Sequence, residues 1–254
     1  MIKGLYSAFT AMESAWRYQD VLANNISNAN TAGFKREFAT REPFADVLLS
    51  QQAPVPAPLS ARIQQVVGQI GTGTFVAEFA TDFGAGVLRE TGNELDMALT
   101  NGFFQVEGPD GAVYATRDGR FGRDAAGDLV TSHGYYVLDE NGQHINLPQQ
   151  AVGISADGRI LDHEGGEIAR IAVVDYTPNQ LTRAGEAYFT ATGQGEAPAG
   201  GPGLRQGFLE GSNSNLVEEM TSLLAVQRTY QANQAVLARL DGTLDQAAGE
   251  LARL

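Results

Sequence analysis

The last forty residues constrain this chain more than any other stretch. Leu223, Val226, Tyr230, Asn233, Leu237, Leu240, Leu244, Ala247, Leu251 and Leu254 recur at alternating spacings of three and four. This is the a/d seam of a heptad pattern, and a helix that carries it buries the seam lengthwise against another helix. At about 1.5 Å per residue the helix from Asn215 onward reaches roughly 60 Å, longer than a domain of this size needs for its own core. Asn215 followed three residues later by Glu218 makes a capping-box start, in which each side chain takes one of the amides left free at a helix N-terminus.

A second heptad register opens the chain, through Ile2, Leu5, Phe9, Met12, Trp16, Gln19, Ala23 and Ile26. Each buried Leu, Phe or Met recovers about 1.5–3 kcal/mol, so the expectation is that the two terminal helices pack seam to seam. Phe9 and Trp16 on a membrane surface is the competing use of such a face. It is disfavoured because Glu13 and Asp20 offset the cations Lys3 and Arg17.

A length of 254 residues with 43% hydrophobic content allows one or two folded domains. No run approaches the ~18 apolar residues of a membrane span, and the first residues lack a basic stretch, an apolar core and a cleavage site. The expectation is therefore a chain without direct membrane insertion and without an ordinary cleaved signal peptide. Cysteine is absent, which removes disulfides and thiolate chemistry. A net charge of −13 argues against nucleic-acid binding, since phosphates would repel the chain as a whole.

Between the helices, residues 37–94 read as an extended connector. Pro54, Pro56 and Pro58 favour polyproline geometry, and Gly68, Gly71, Gly73, Gly84 and Gly86 break any helix, so short strands between loops are expected. Gly71-Thr72-Gly73 lacks the Lys-Ser/Thr of a phosphate loop. Residues 95–209 read as β structure. Asp110-Gly111, Asp118-Gly119, Asn141-Gly142 and Asp157-Gly158 are turn pairs, and Phe103 to Val106, Tyr135 to Leu138 and Ile168 to Val174 favour strands. The expected fold is α+β: paired, coiled-coil-like terminal helices (1–36 and 215–254) with an inserted all-β domain, an antiparallel barrel or sandwich.

No catalytic constellation emerges. His133, His144 and His163 stand in separate turns without ligand spacing. Asp124 with Asp128, and Asp139-Glu140-Asn141, do not complete a calcium loop. Glu218 and Glu219 point to different helix faces and cannot act as an acid–base pair. The expectation is no enzyme, no cofactor and no metal.

The first helix runs into a segment rich in Asn, Ser and Thr. Such residues bond nearby backbone and, with Gly33, support an ordered turn. The string Ala23-Asn24-Asn25-Ile26-Ser27-Asn28, followed by Thr31-Ala32-Gly33-Phe34-Lys35-Arg36, resembles the signature of bacterial flagellar basal-body rod and hook proteins. Gly207-Phe208-Leu209-Glu210-Gly211-Ser212-Asn213-Ser214-Asn215, with Glu218-Glu219-Met220, Gln227-Arg228 and Tyr230, resembles that family's second mark. Gly102 to Val106 and Tyr114 to Gly119 are similar to its rod members, whereas residues 38–58 match no one member.

The resemblance implies an axial subunit of the basal body whose terminal helices pair and stack helically on copies of itself, and on neighbouring rod, hook and ring proteins. It also implies export through the flagellar channel as an unfolded chain, with distal-rod character favoured over proximal rod or hook. The residues expected at subunit contacts are Leu5, Phe9, Met12, Trp16, Asn24, Asn25, Asn28, Gly33, Phe34, Leu223, Val226, Tyr230, Leu237, Leu240, Leu244 and Leu251. The alternative from another class is a secreted β-sandwich binding module or adhesin on a helical stalk.

Overall fold

The computed structural model describes residues 2–44, 47–53, 63–70, 73–148, 150 and 152–251. The Pro54–Pro58 spacer, Gly71-Thr72 and Leu254 lie outside the described residues, as do the side chains of Ile2 and Leu251. Helix α1 (Ile2–Ser27) and helix α2 (Leu216–Leu251) bracket a run of antiparallel strands, so the class is α+β. The chain divides into two compact units. One gathers Met1–Asn24, Glu37–Ala80 and Val217–Leu254, and the other Asn25–Arg36 and Thr81–Leu216.

In the helical unit, α2 shields one stripe and exposes the rest. Between Leu223 and Ala247 its shielded positions are Leu223, Val226, Tyr230, Asn233, Leu237, Leu240, Leu244 and Ala247, the seam expected from the heptads. Ala15 and Leu22 of α1 are buried against Val226, with Tyr18, Leu223 and Tyr230 packed around them. A Cβ added to Gly4 would lie 3.7 Å from Leu240 Cδ1, so the two helices run antiparallel.

The stripe that α1 turns inward is not the expected one. Ala8, Ala11, Ala15, Tyr18 and Leu22 are shielded along a heptad of their own, which Gly4 continues toward Leu240 though itself exposed, displaced from the Leu5–Phe9–Met12–Trp16 register. Phe9 and Trp16 remain 54% and 57% exposed, whereas Leu5 and Met12 are half-buried. The physical reason is size. Helix axes approach according to the side chains at their crossing, and a stripe of alanines admits the bulky α2 seam where a stripe of aromatics would hold it away.

The connector holds longer strands than expected. Glu37–Pro43 pairs with Thr74–Thr81, and Val47–Ala53 pairs antiparallel with Ile63–Ile70. Gly68, read as a breaker, sits inside a strand at a register shift between Leu49 and Ser50, the bulge position that glycine favours.

In the β-rich unit the main sheet runs Leu181–Arg183, Tyr188–Ala191, Val113–Thr116, Phe103–Glu107, Tyr136–Val137, Leu129–Thr131 and Phe121–Arg123, with Val173–Val174 also pairing Phe103–Glu107. Its two end strands do not pair with each other, so among the described residues the sheet is no closed barrel. The expected strand Ile168–Val174 divides into Glu167–Arg170, in a separate three-stranded sheet, and Val173–Val174. Phe104, Val106, Phe121, Leu129 and Val137 of the main sheet form one core with Ile160, Ile171 and Leu204.

Three of the four expected turn pairs carry a glycine in the left-handed region, Gly111 and Gly142 at φ +75° and Gly158 at φ +86°. Asp118-Gly119 differs. Gly119 has no positive φ and instead passes so close to Met97 that a Cβ would lie 1.6 Å from the Met97 carbonyl oxygen.

Candidate subunit-contact surfaces

Helix α1 ends at Ser27 in the ordered turn that its Asn-rich sequence predicts. The Thr31 amide and hydroxyl donate to Asn28 O and Oδ1, both at 3.1 Å. Gly33 follows at φ +67°, and its amide donates to Glu210 O at 2.8 Å. Asn25, Asn28, Gly33 and Phe34 are buried within the β-rich unit, while Asn24 faces solvent. Of the residues expected at subunit contacts, these four are therefore structural in the free chain, where they fix the turn.

Directly after the turn, Lys35 enters a charged cluster with no exposed side chain. Its Nζ donates to Glu210 Oε1 at 2.6 Å and to Gly84 O at 2.8 Å. The Glu210 carboxylate also accepts from Gly86 N at 2.8 Å and Arg117 Nη1 at 3.1 Å. Burial pulls the Lys35 ammonium below its ordinary range, against the attraction of Glu210. The Arg183 guanidinium lies over the rings of Phe34 and Phe189 and donates to Lys35 O. Asn213 accepts from Arg36 N and donates to Asp82 O, both at 2.8 Å. The segments on either side of the unit, one leaving α1 and one entering α2, are thus fastened to each other by buried polar groups.

Both helices present large apolar side chains to a partner on their outer faces. On α1, Tyr6, Phe9 and Trp16 are exposed. On α2, Val217, Met220 and Leu224 form an exposed apolar stripe beside the shielded seam, with Val217 at 72% exposure. Exposed apolar stripes of this kind mark protein–protein contact. Leu237, Leu240 and Leu244 are half-buried on the seam, and Leu223, Val226 and Tyr230 are occupied by α1.

Sequence reasoning missed the α2 stripe because its apolar residues occupy only the first turns before polar ones replace them. It also missed Lys35, Arg117, Arg183 and Glu210, since nothing local marks a charge as buried.

Among the described residues no three His, Cys, Asp or Glu side chains group to hold a metal. His144 stacks on Tyr136 and pairs with Glu107 at 2.8 Å, whereas His133 lies 3.2 Å from the Tyr188 hydroxyl. No described helix is long and apolar enough to cross a membrane.

Comparison with known proteins accords with this arrangement. Residues 5–35 match the family described as flagella basal body rod protein, residues 99–162 the flagellar hook protein FlgE/F/G D1 domain, and residues 205–250 the flagellar basal body rod FlgEFG protein C-terminal region. The chain is 32% identical to the flagellar basal-body rod protein FlgG of Bacillus subtilis, over 97% of this chain and 98% of the relative. It is 32% identical to FlgG of Agrobacterium fabrum, over 94% and 96%. Against the flagellar basal-body rod protein FlgF of Caulobacter vibrioides it is 31% identical, over 100% and 98%. With similarity that spans nearly its whole length and with matched regions that cover most of both terminal helices, the chain belongs to the flagellar basal-body rod protein family.

Proposed function

We propose that this chain is a non-enzymatic structural subunit of the bacterial flagellar rod, in the distal rather than the proximal segment. It would assemble helically on copies of itself and abut neighbouring rod, hook and ring proteins. One observation carries the reading: both terminal helices keep large apolar side chains in water, Phe9 and Trp16 on α1 and Val217, Met220 and Leu224 on α2. Burial of such side chains between subunits recovers about 1.5–3 kcal/mol each. Full-length similarity to FlgG proteins supports the distal assignment.

In this reading residues 1–36 and 215–254 form the axial core, 37–94 a connector and 95–209 an outer β domain. Leu5, Met12, Asn24, Leu237, Leu240, Leu244 and Leu251 join Phe9 and Trp16 at subunit contacts. The subunit reaches the rod by flagellar export.

The test is to place Phe9→Asp and Leu224→Asp in the chromosomal gene of the source bacterium. Both variants are expected to abolish swimming and to disappear from purified basal bodies while their β-rich unit stays folded. Normal swimming by both would overturn the proposal.

A further inference from the structure

The β-rich unit carries a cleft of about 280 Å³ between the turn that follows α1 and the ribbon of Leu88–Glu90 with Phe208–Glu210. Ala29, Ala32, Leu88 and Leu209 give it apolar walls, and Val87 stands at its rim with 81% of its surface exposed. Two cations line it. Arg120 is held by the Asp118 carboxylate at 2.9 Å, but Arg89 is exposed and makes no ion pair among the described residues. The volume falls below the range of small-molecule sites and suits one large side chain.

We infer that this cleft receives the Trp16 ring of a second copy of the chain. The inference rests on the assembly reading above and names one of its contacts. Trp16 is the single tryptophan, and it projects from α1 with more than half of its surface in water. Glu13 and Asp20 flank it on the same helical face, at the i−3 and i+4 positions. Glu13 is engaged by Arg17 at 2.8 Å, whereas Asp20 is exposed and makes no ion pair among the described residues.

Seating the ring therefore carries a free carboxylate to a rim that holds a free guanidinium. Tryptophan and arginine are the residues that dominate contacts of this kind when one fills a desolvated pocket. The exposed Val217, Met220 and Leu224 stripe offers a flat row of aliphatic side chains and no single ring to fill the cleft. The contact joins two different surfaces of one chain, so it is heterologous, and repetition propagates an open polymer rather than closing a dimer.

The experiment uses the full chain, concentrated until it sediments as polymer, with iodide quenching of Trp16 followed before and after. Trp16 is expected to be quenched freely in the dilute chain and shielded in the polymer. Arg89→Glu and Asp20→Arg, both on exposed side chains, are each expected to raise the concentration needed for polymer about 30-fold. Combined in one chain, they should restore most of the loss. Polymer in which Trp16 stays accessible, or single-variant losses that simply add in the double variant, overturns the inference and leaves the assembly reading standing. Failure of the unaltered chain to polymerise at any concentration overturns both.

Discussion

Lys35 Nζ donates to Glu210 Oε1 at 2.6 Å across 175 residues of sequence, with both side chains all but closed to solvent. The pair sits where the two family-matched ends of the chain meet within the β-rich unit. The Gly33 amide donating to Glu210 O ties the same two segments together, and the Gly86 amide donating to Glu210 Oε1 fastens a third stretch to them. A buried ion pair of this sort contributes little net stability compared with apolar replacements, but it is unforgiving when one partner is removed.

Glu210→Gln leaves Lys35 and Arg117 facing a neutral amide in a buried site. The expected loss is about 3–5 kcal/mol of unfolding free energy in the β-rich unit. Replacing the whole charged group, Lys35→Met and Arg117→Met with Glu210→Leu, is expected to cost less than Glu210→Gln alone. Denaturant titration of the three chains reads the order directly, and a Glu210→Gln chain as stable as the original would contradict the burial of the pair.

Gly33→Ala combines two faults. The residue sits at φ +67°, and an added Cβ would lie 2.2 Å from both Arg117 C and Asp118 N, which are backbone atoms that cannot swing aside. A loss of at least about 2 kcal/mol is expected, seen as a lower melting temperature. Val at the same position is expected to be worse, and to block incorporation into basal bodies. An unchanged melting temperature for the alanine chain would refute the close approach.

The Tyr188 phenol donates to Thr131 Oγ1 at 3.1 Å, and burial pushes its pKa up to about 12. Because the folded value lies above the ordinary value near 10, the neutral form is the one favoured by folding. Its stabilisation is complete below about pH 10 and is lost as the pH rises through 12. Alkaline titration by ultraviolet absorption is expected to show a late tyrosinate step that Tyr188→Phe removes. The stability of the Phe variant should also fall less steeply over that interval, and an equal fall would contradict the assignment.

Leu237 and Leu244 lie half-buried on the α2 seam. Leu237→Asp and Leu244→Asp each place a charge in that stripe, and several kcal/mol of assembly energy are expected to be lost while the β-rich unit is spared. Sedimentation should report loss of polymer, and circular dichroism should retain the β signal. Loss of both together would mean that the helices and the β-rich unit fold as one.

The fold was legible where side-chain size and period agree. On α2 beyond Leu224 the large apolar residues, Val236 apart, lie on a single stripe, so the seam from Leu223 through Ala247 could be assigned to the shielded face from spacing alone. On α1 two heptads compete. The larger residues, Phe9 and Trp16, mark the stripe left in water, and the alanines mark the stripe that packs, so hydrophobic weight pointed to the wrong register. Gly33 was legible as a turn residue from its Asn- and Thr-rich neighbours. Its contact with Arg117 and Asp118 was not, because long-range approach leaves no local period. The Lys35–Glu210 pair was hidden for the same reason, compounded by the ordinary preference of charged side chains for solvent.

The central claim is that this chain is built into the rod as a structural subunit, and location tests it most directly. An epitope inserted at the exposed Asn141-Gly142 turn leaves the core strands untouched. Electron microscopy of purified basal bodies with gold-labelled antibody is the measurement. Label along the rod, concentrated on its distal part, is the expected result. Basal bodies complete in form but free of label, with the tagged chain recovered elsewhere in the cell, would contradict it.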